Sequence, residues 1–173
     1  MAREASGGAR PLYVLDTSAL VDGWTLYPIR TFDAVVWSRL ADLASEGRLV
    51  APEEVRHEIS RRDERLKAWA NGSPLFRAPD DDFIACLAKV VAECPYLVSL
   101  GRRYAADSWV VALALQLQEA EQSKLFAAPC YVITHEQKKL TSGKLKIPDA
   151  CDHFSLTPIR FHQVFELEGW EGS

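Results

Sequence analysis

Four carboxylates stand where an α/β sheet would present side chains to a ligand: Asp16, Glu58, Asp107 and Glu136. The first and the last follow apolar stretches, residues 12–15 and 130–134, that are typical of short strands buried on both faces. Side chains at the carboxyl ends of parallel strands lie at the edge where such sheets bind ligands. Glu58 and Asp107 adjoin apolar residues at helical spacing, so we expect both on inward helix faces near that edge.

A cluster of like-charged carboxylates repels itself unless some members are protonated or a cation binds among them. A set of oxygen ligands favours Mg²⁺ or Mn²⁺ over zinc. Such an ion holds and polarises a phosphodiester, and it lowers the pKa of a bound water that attacks phosphorus. The hydroxyls of Thr17 and Ser18 directly follow Asp16, where they could orient this water, one of the acids or the substrate. The pattern therefore predicts metal-dependent phosphodiester hydrolysis.

Basic residues follow the fourth acid closely along the chain: Lys138, Lys139, Lys144 and Lys146. Lysine ammonium groups bind a nucleic-acid backbone as point charges, which makes these four residues candidates for substrate binding. A solvated surface loop would account for the same composition.

The acids also have ordinary structural interpretations. Asp16 and Asp107 are both suited to cap the helices that begin beside them. Glu58 could be neutralised by Arg56 or Arg62, because buried charges are usually paired. These alternatives stay open at the level of sequence.

Strands and helices alternate along the chain. Apolar runs predict short strands at 12–15, 49–51, 130–134 and 156–159, and helical periodicity predicts helices at 31–46, 52–69, 80–94, 105–122 and 161–167. Turn signals mark residues 19–28, and a loop is expected at 73–79. This alternation predicts an α/β fold with a parallel sheet covered by helices on both faces.

Length and composition favour a single globular domain over residues 11–173, preceded by a loose tail over residues 1–10. The 173 residues are 48% hydrophobic and carry a formal net charge of −4, which argues against a uniformly basic nucleic-acid surface. The N-terminus lacks a secretory pattern and no apolar run reaches membrane-spanning length, so we expect a cytoplasmic protein with reduced cysteines. A zinc site can be drawn from two cysteines and two histidines, but their spacing fits no tight ligand pattern: Cys130, His135, Cys151 and His153.

Four segments in chain order resemble the motifs of the PIN-domain family, the VapC-like ribonucleases and toxins. They are Leu15-Asp16-Thr17-Ser18, Val55-Arg56-His57-Glu58-Ile59, Ala106-Asp107 at the start of a long apolar helix, and Val132-Ile133-Thr134-His135-Glu136. The resemblance extends from about Leu12 to Phe165. Within that superfamily, the segment 144–151 resembles an uncharacterised bacterial and archaeal subfamily with a Lys-Ile-Pro-x-x-Cys element.

The resemblance implies a three-layer α/β/α sandwich around a mostly parallel sheet of four to five strands. It implies cleavage of RNA with Mg²⁺ or Mn²⁺, often as the toxin of a toxin–antitoxin pair. It also implies a homodimer, and an antitoxin that carries a DNA-binding part. The four acids become the metal site, and Ser18 takes the position of the group that supports the first acid.

The sequence departs from the family pattern at the fourth motif. Glu136 stands where the family usually has Asp, and the Phe expected a few residues later is missing. Asp149 could therefore supply or share the fourth carboxylate. A phosphatase of the haloacid dehalogenase type would want a second Asp where Ser18 stands. The stronger alternative is a catalytically inactive PIN fold that binds RNA or assembles with a partner.

Overall fold

The computed structural model describes residues 9–98, 105–138 and 144–170. Five strands form one sheet: β1 (Leu12–Leu15), β2 (Leu49–Pro52), β3 (Phe76–Arg77), β4 (Cys130–Ile133) and β5 (Thr157–Ile159). The sheet is parallel throughout, in the order β3-β2-β1-β4-β5. The first strand therefore lies at the centre, where Tyr13, Val14 and Leu15 are at most 1% exposed. All five strands present their carboxyl ends at one edge.

Helices cover the sheet in a three-layer α/β/α sandwich, which confirms the predicted fold class. They are α1 (Thr17–Leu26), α2 (Ile29–Phe32), α3 (Ser38–Ser45), α4 (Glu53–Ile59), α5 (Glu64–Gly72), α6 (Asp81–Glu93), α7 (Asp107–Gln122), α8 (Ile147–His153) and α9 (Gln163–Glu168). A π-helical turn, Asp33–Trp37, joins α2 to α3, and a 3₁₀ turn, Pro95–Leu97, follows α6. Helix α7 packs against β1, β2 and β4, and α6 packs against α7.

An aromatic cluster holds several of the helices together. The fully buried Trp37 ring lies 4.7 Å from that of Trp24 and 4.9 Å from that of Trp69, both edge-on. Phe161 packs against this group and lies directly over Gly23, where an added Cβ would be only 2.6 Å from the ring. Gly23 is therefore required for the close approach of the Phe161 ring to α1.

A buried ion pair fastens the last helix to the first strand. Arg48 and Glu168 form a salt bridge in which the side chains are only 10% and 12% exposed. Tyr13 donates a hydrogen bond to Glu168 Oε1 at 2.7 Å, and Arg48 Nε donates to the carbonyl of Pro11 at 3.0 Å. This cluster lies at the sheet edge opposite the carboxyl ends of the strands.

Several predicted boundaries were wrong. The helix expected at 52–69 is interrupted, because the Asp63 carboxylate accepts bonds from the amides of Arg65 and Leu66 and so caps a separate helix, α5. The helix expected at 31–46 is replaced by α2, the π-helical turn and α3. Strand β3 lies inside the predicted loop at 73–79, and helix α8 forms where no helix was expected.

Residues 19–26, which carry turn signals, belong to α1. Most of the predicted N-terminal tail, residues 1–8, lies outside the described residues. Within the three described ranges, no helix is both long and apolar enough to cross a membrane.

Candidate active site

Asp16 occupies the centre of the carboxyl edge of the sheet. It directly follows β1, is 3% exposed, and is the residue that precedes α1. Its side chain makes no capping hydrogen bond to that helix. Oxygen Oδ2 instead accepts hydrogen bonds from the hydroxyl of Ser18 and from Thr134 Oγ1, the latter at 3.0 Å. The capping alternative thus does not account for the position of this carboxylate.

The surroundings of Asp16 oppose its negative charge. Burial raises the pKa of Asp16 to about 7, and the nearby negative charges of Asp107 and Glu136 push it in the same direction. Hydrogen bonds from Ser18 and Thr134 act in the opposite sense and favour the ionised form. Both donors are neutral, and within the described ranges no cation forms an ion pair with Asp16. An added cation would relieve this repulsion.

Glu58 reaches the same edge from helix α4. Its Oε2 accepts a hydrogen bond from the hydroxyl of Thr17, and its Oε1 accepts one from the backbone N–H of Ala106 at 3.2 Å. Arg56, a possible neutralising partner, is instead paired with Glu53 at 3.0 Å. Glu58 is therefore held between the residue after Asp16 and the residue before Asp107.

Asp107 begins the long helix α7, half-buried, with Ala106 as the preceding cap residue. Its influence on the pKa of Asp16 shows that the two carboxylates are close enough to repel each other. The structure therefore brings Asp107 to the Asp16 neighbourhood, on the buried side of its helix as expected.

Glu136 and Asp149 differ in what they contact. Glu136 Oε2 accepts the backbone N–H of Ile147 at 3.1 Å, and Lys146 Nζ lies 3.9 Å from Oε1. Asp149 Oδ2 accepts the backbone N–H of Lys146 at 2.9 Å and thereby caps α8. Only Glu136 of the two is among the main charges acting on Asp16. Glu136 thus belongs to the negative charge around Asp16, and Asp149 has the structural task of capping α8.

The hydroxyls after β1 each serve one acid. Thr17 donates to Glu58, whereas Ser18 donates to Asp16 and accepts the backbone N–H of His135 at 3.1 Å. Ser18 therefore supports the first acid as predicted from its position. The Thr17 hydroxyl, a candidate substrate contact from the sequence, is engaged with Glu58.

The lysines expected to bind substrate have separate surroundings. Lys138 forms an ion pair with Asp152, Lys146 lies near Glu136, and Lys144 is exposed. Lys139 lies outside the described residues.

Thr134 is the site residue whose role the sequence did not reveal. It is 2% exposed, donates to Asp16 and accepts the backbone N–H of Glu136 at 3.2 Å, so it links two of the acids. The available signal was its place directly after β4, which matches the place of the hydroxyl residues after β1. The backbone N–H of Ala106, which bonds Glu58, carries no sequence signal at all.

The donor set fits a hard divalent cation in chemistry, because oxygen ligands surround a buried carboxylate whose charge is disfavoured. Among the described residues, however, no three His, Cys, Asp or Glu side chains are gathered into a group that could hold a metal. For the two cysteines of the zinc alternative, Cys130 and Cys151, burial raises the pKa of the thiol to about 12.

Residues 13–171 match the model of a protein family described as Domain of unknown function (DUF4411). Comparisons with curated proteins and with solved structures gave no match. The match covers all four acids, every helix described above and the sheet except Leu12, the first residue of β1. The chain therefore belongs to the DUF4411 family.

Proposed function

We propose that this protein is a metal-dependent endoribonuclease of the PIN type. The observation that carries the proposal is the electrostatic environment of Asp16, a carboxylate buried at the carboxyl edge of a parallel sheet beside two further acids. Asp16, Glu58, Asp107 and Glu136 would hold Mg²⁺ or Mn²⁺. When bound, such an ion polarises a phosphodiester and lowers the pKa of a coordinated water.

The residues around the acids keep them ready for a cation. Hydroxyls from Ser18 and Thr134 share one oxygen of Asp16, which fixes the carboxylate plane and leaves Oδ1 for a ligand. Thr17 and the Ala106 amide orient Glu58 through both of its oxygens. Held side chains of this kind lose little conformational entropy when they bind an ion.

The PIN resemblance adds five further parts to the proposal: RNA as the substrate, a toxin role, an antitoxin partner, a homodimer and a cytoplasmic location. The structure contributes two described lysines near Glu136, namely Lys138 and Lys146, and Lys144 is exposed. Lysines close to an acidic site are suited to hold a phosphate backbone that the acids alone would repel.

A second candidate is a catalytically inactive PIN fold that binds RNA or assembles with a partner. It is favoured by the lack of a gathered metal-ligand group in the part of the chain that the structure describes. Cleavage depends on each carboxylate and on the metal ion, whereas simple RNA binding does not. This difference separates the two candidates experimentally.

The test is cleavage of a structured RNA pool by purified protein with Mn²⁺, with and without EDTA. The key variant is Asp107→Asn, and Asp81→Asn is its matched control, because Asp81 is also the first residue of a helix but is exposed. The proposal predicts cleavage by the wild type and by Asp81→Asn, with loss in EDTA and in Asp107→Asn. RNA binding without cleavage, unchanged by Asp107→Asn, would support the inactive fold.

Calorimetric titration of Mn²⁺ identifies the fourth acid. Glu136→Gln should weaken Mn²⁺ binding more than Asp149→Asn does, because Asp149 is engaged in capping α8. The reverse order would assign the fourth ligand to Asp149.

A further inference from the structure

A cleft of about 380 Å³ opens beside Glu136, between the ends of β4 and β5 and the start of α8. Six of its lining residues matter here: Thr134, Glu136, Pro158, Ile159, Arg160 and Gln163. We call it the Arg160 cleft. Its volume lies within the range of pockets that hold small ligands. The cleft shares Thr134 and Glu136 with the acidic site, and Arg160 and Gln163 add polar side chains to its lining.

Arg160 supplies a positive charge to the cleft. One guanidinium nitrogen donates to the backbone carbonyl of His135, which holds the group in place. No carboxylate in the described ranges forms an ion pair with it. The other cation that lines the cleft, Lys138, is already paired with Asp152. Arg160 is therefore the cation best placed to meet an incoming anion, and its planar fork suits a phosphate.

Gln163 supplies an oriented hydrogen-bond donor next to Arg160. Its Oε1 accepts the backbone N–H of Arg160 at 2.7 Å. Because that partner is a donor, the amide oxygen must face it, and the amide nitrogen is left with two N–H groups. Those N–H groups can donate to a carbonyl or ring-nitrogen acceptor. Pro158 and Ile159 add apolar surface against which a flat ring can pack.

We propose that the Arg160 cleft binds one unstacked nucleotide of an RNA strand beside the cleavage site. Arg160 contacts its phosphate, Gln163 donates to an acceptor on its base edge, and Pro158 packs against the base. Single-stranded RNA is commonly recognised through bases that leave the stack and are read on their edges. The choice of RNA rests on the proposed function, whereas the phosphate and base contacts rest on the cleft itself.

The direct test follows binding of the four nucleoside 5′-monophosphates by NMR, without divalent metal. Gln163→Glu keeps an acceptor for the Arg160 amide but replaces the two donors with a negative charge. We expect it to weaken binding about tenfold or more, since a donor is lost and a repulsion is added. Gln122→Glu, on the exposed end of α7, introduces the same charge away from the cleft and should leave binding unchanged. Arg160→Lys keeps the charge but loses the planar fork, and we expect an intermediate loss.

Two results would overturn the inference. One is the absence of nucleotide-induced shifts at cleft residues up to about 10 mM, a concentration that detects even very weak binding. The other is binding that Gln163→Glu and Gln122→Glu affect equally. Thermal unfolding of each variant shows whether a loss of binding reflects a loss of fold.

RNA cleavage measured on the same variants separates this inference from the ribonuclease proposal. If both hold, Gln163→Glu cleaves RNA but with a changed base preference next to the cut. If nucleotides bind through Gln163 and neither the wild type nor any variant cleaves RNA, the cleft is a nucleotide site and the ribonuclease proposal fails. If the wild type cleaves and Gln163→Glu keeps the same base preference, the cleft inference fails alone.

Discussion

Replacing Asp16 with asparagine should change how stability depends on pH. Each pKa unit corresponds to about 1.4 kcal/mol. A pKa raised from 3.8 to about 7 therefore means that ionising Asp16 lowers the free energy of unfolding by about 4 kcal/mol. Between these values the folded protein holds a proton that the unfolded chain has released. Stability contributed by this group consequently falls as pH rises from about 4 to about 7, and the loss is complete above that range.

Asp16→Asn removes the charge and keeps the contacts. Ser18 and Thr134 both donate to the same oxygen, Oδ2, so an amide oxygen in that place retains both hydrogen bonds. The new buried NH₂ group costs about 1–3 kcal/mol if it finds no acceptor, and this cost does not depend on pH. The difference in the free energy of unfolding between the wild type and Asp16→Asn should thus change by about 4 kcal/mol between pH 4 and pH 8. The change favours the variant at high pH.

The assay is urea unfolding of both proteins in EDTA across this pH range. Asp33→Asn, at an exposed position, is the control. Its free energy of unfolding should differ from that of the wild type by a nearly constant amount across this pH range. Parallel pH dependences for the wild type and Asp16→Asn would refute the reasoning. Adding Mn²⁺ at about one hundred times its Kd should then stabilise the wild type by about 2.7 kcal/mol at pH 8 and the variant by far less.

Three further substitutions test contacts described above. Gly23→Ala places a Cβ 2.6 Å from the Phe161 ring, and we expect a loss of about 1–3 kcal/mol, visible as a lower Tm. Glu168→Gln removes the buried carboxylate partner of Arg48 and leaves it only the more exposed Glu46 at 3.3 Å, so chemical denaturation should show a loss of about 3 kcal/mol. Thr134→Val removes a donor that favours ionised Asp16, so Mn²⁺ binding followed by calorimetry should require a higher pH than in the wild type. An unchanged Tm would contradict the prediction for Gly23→Ala, and a loss below about 1 kcal/mol would contradict that for Glu168→Gln. An unshifted pH dependence of Mn²⁺ binding would contradict the prediction for Thr134→Val.

The sheet was predictable because its strands are apolar on both faces. Residues 12–15 and 130–133 cannot lie at a surface without exposing large side chains, so their burial and the position of Asp16 follow from local sequence. The face of Glu58 followed from helical spacing in the same way. Strand β3 has only two residues, which is too short to produce a periodic signal.

Other features depend on contacts between distant residues. Asp63 looks like one more charge in an Arg-rich stretch, yet its carboxylate caps α5 and ends the preceding helix. The partners of Glu58, Thr17 and the Ala106 amide, are 41 and 48 residues away, and no local pattern encodes them. The role of Asp149 in capping α8 is likewise visible only in the structure.

The central position of β1 has a consequence for the order in which the protein can assemble. Asp16 and Thr134 are 118 residues apart, and β1 pairs with β4 along its whole length. At a synthesis rate of about 5–20 residues per second, the first strand emerges roughly 6–24 seconds before the residue that completes the environment of Asp16. Such long-range parallel pairing also makes folding slow. The nascent chain therefore carries an incomplete acidic cluster until β4 has been made, when four of the five strands exist.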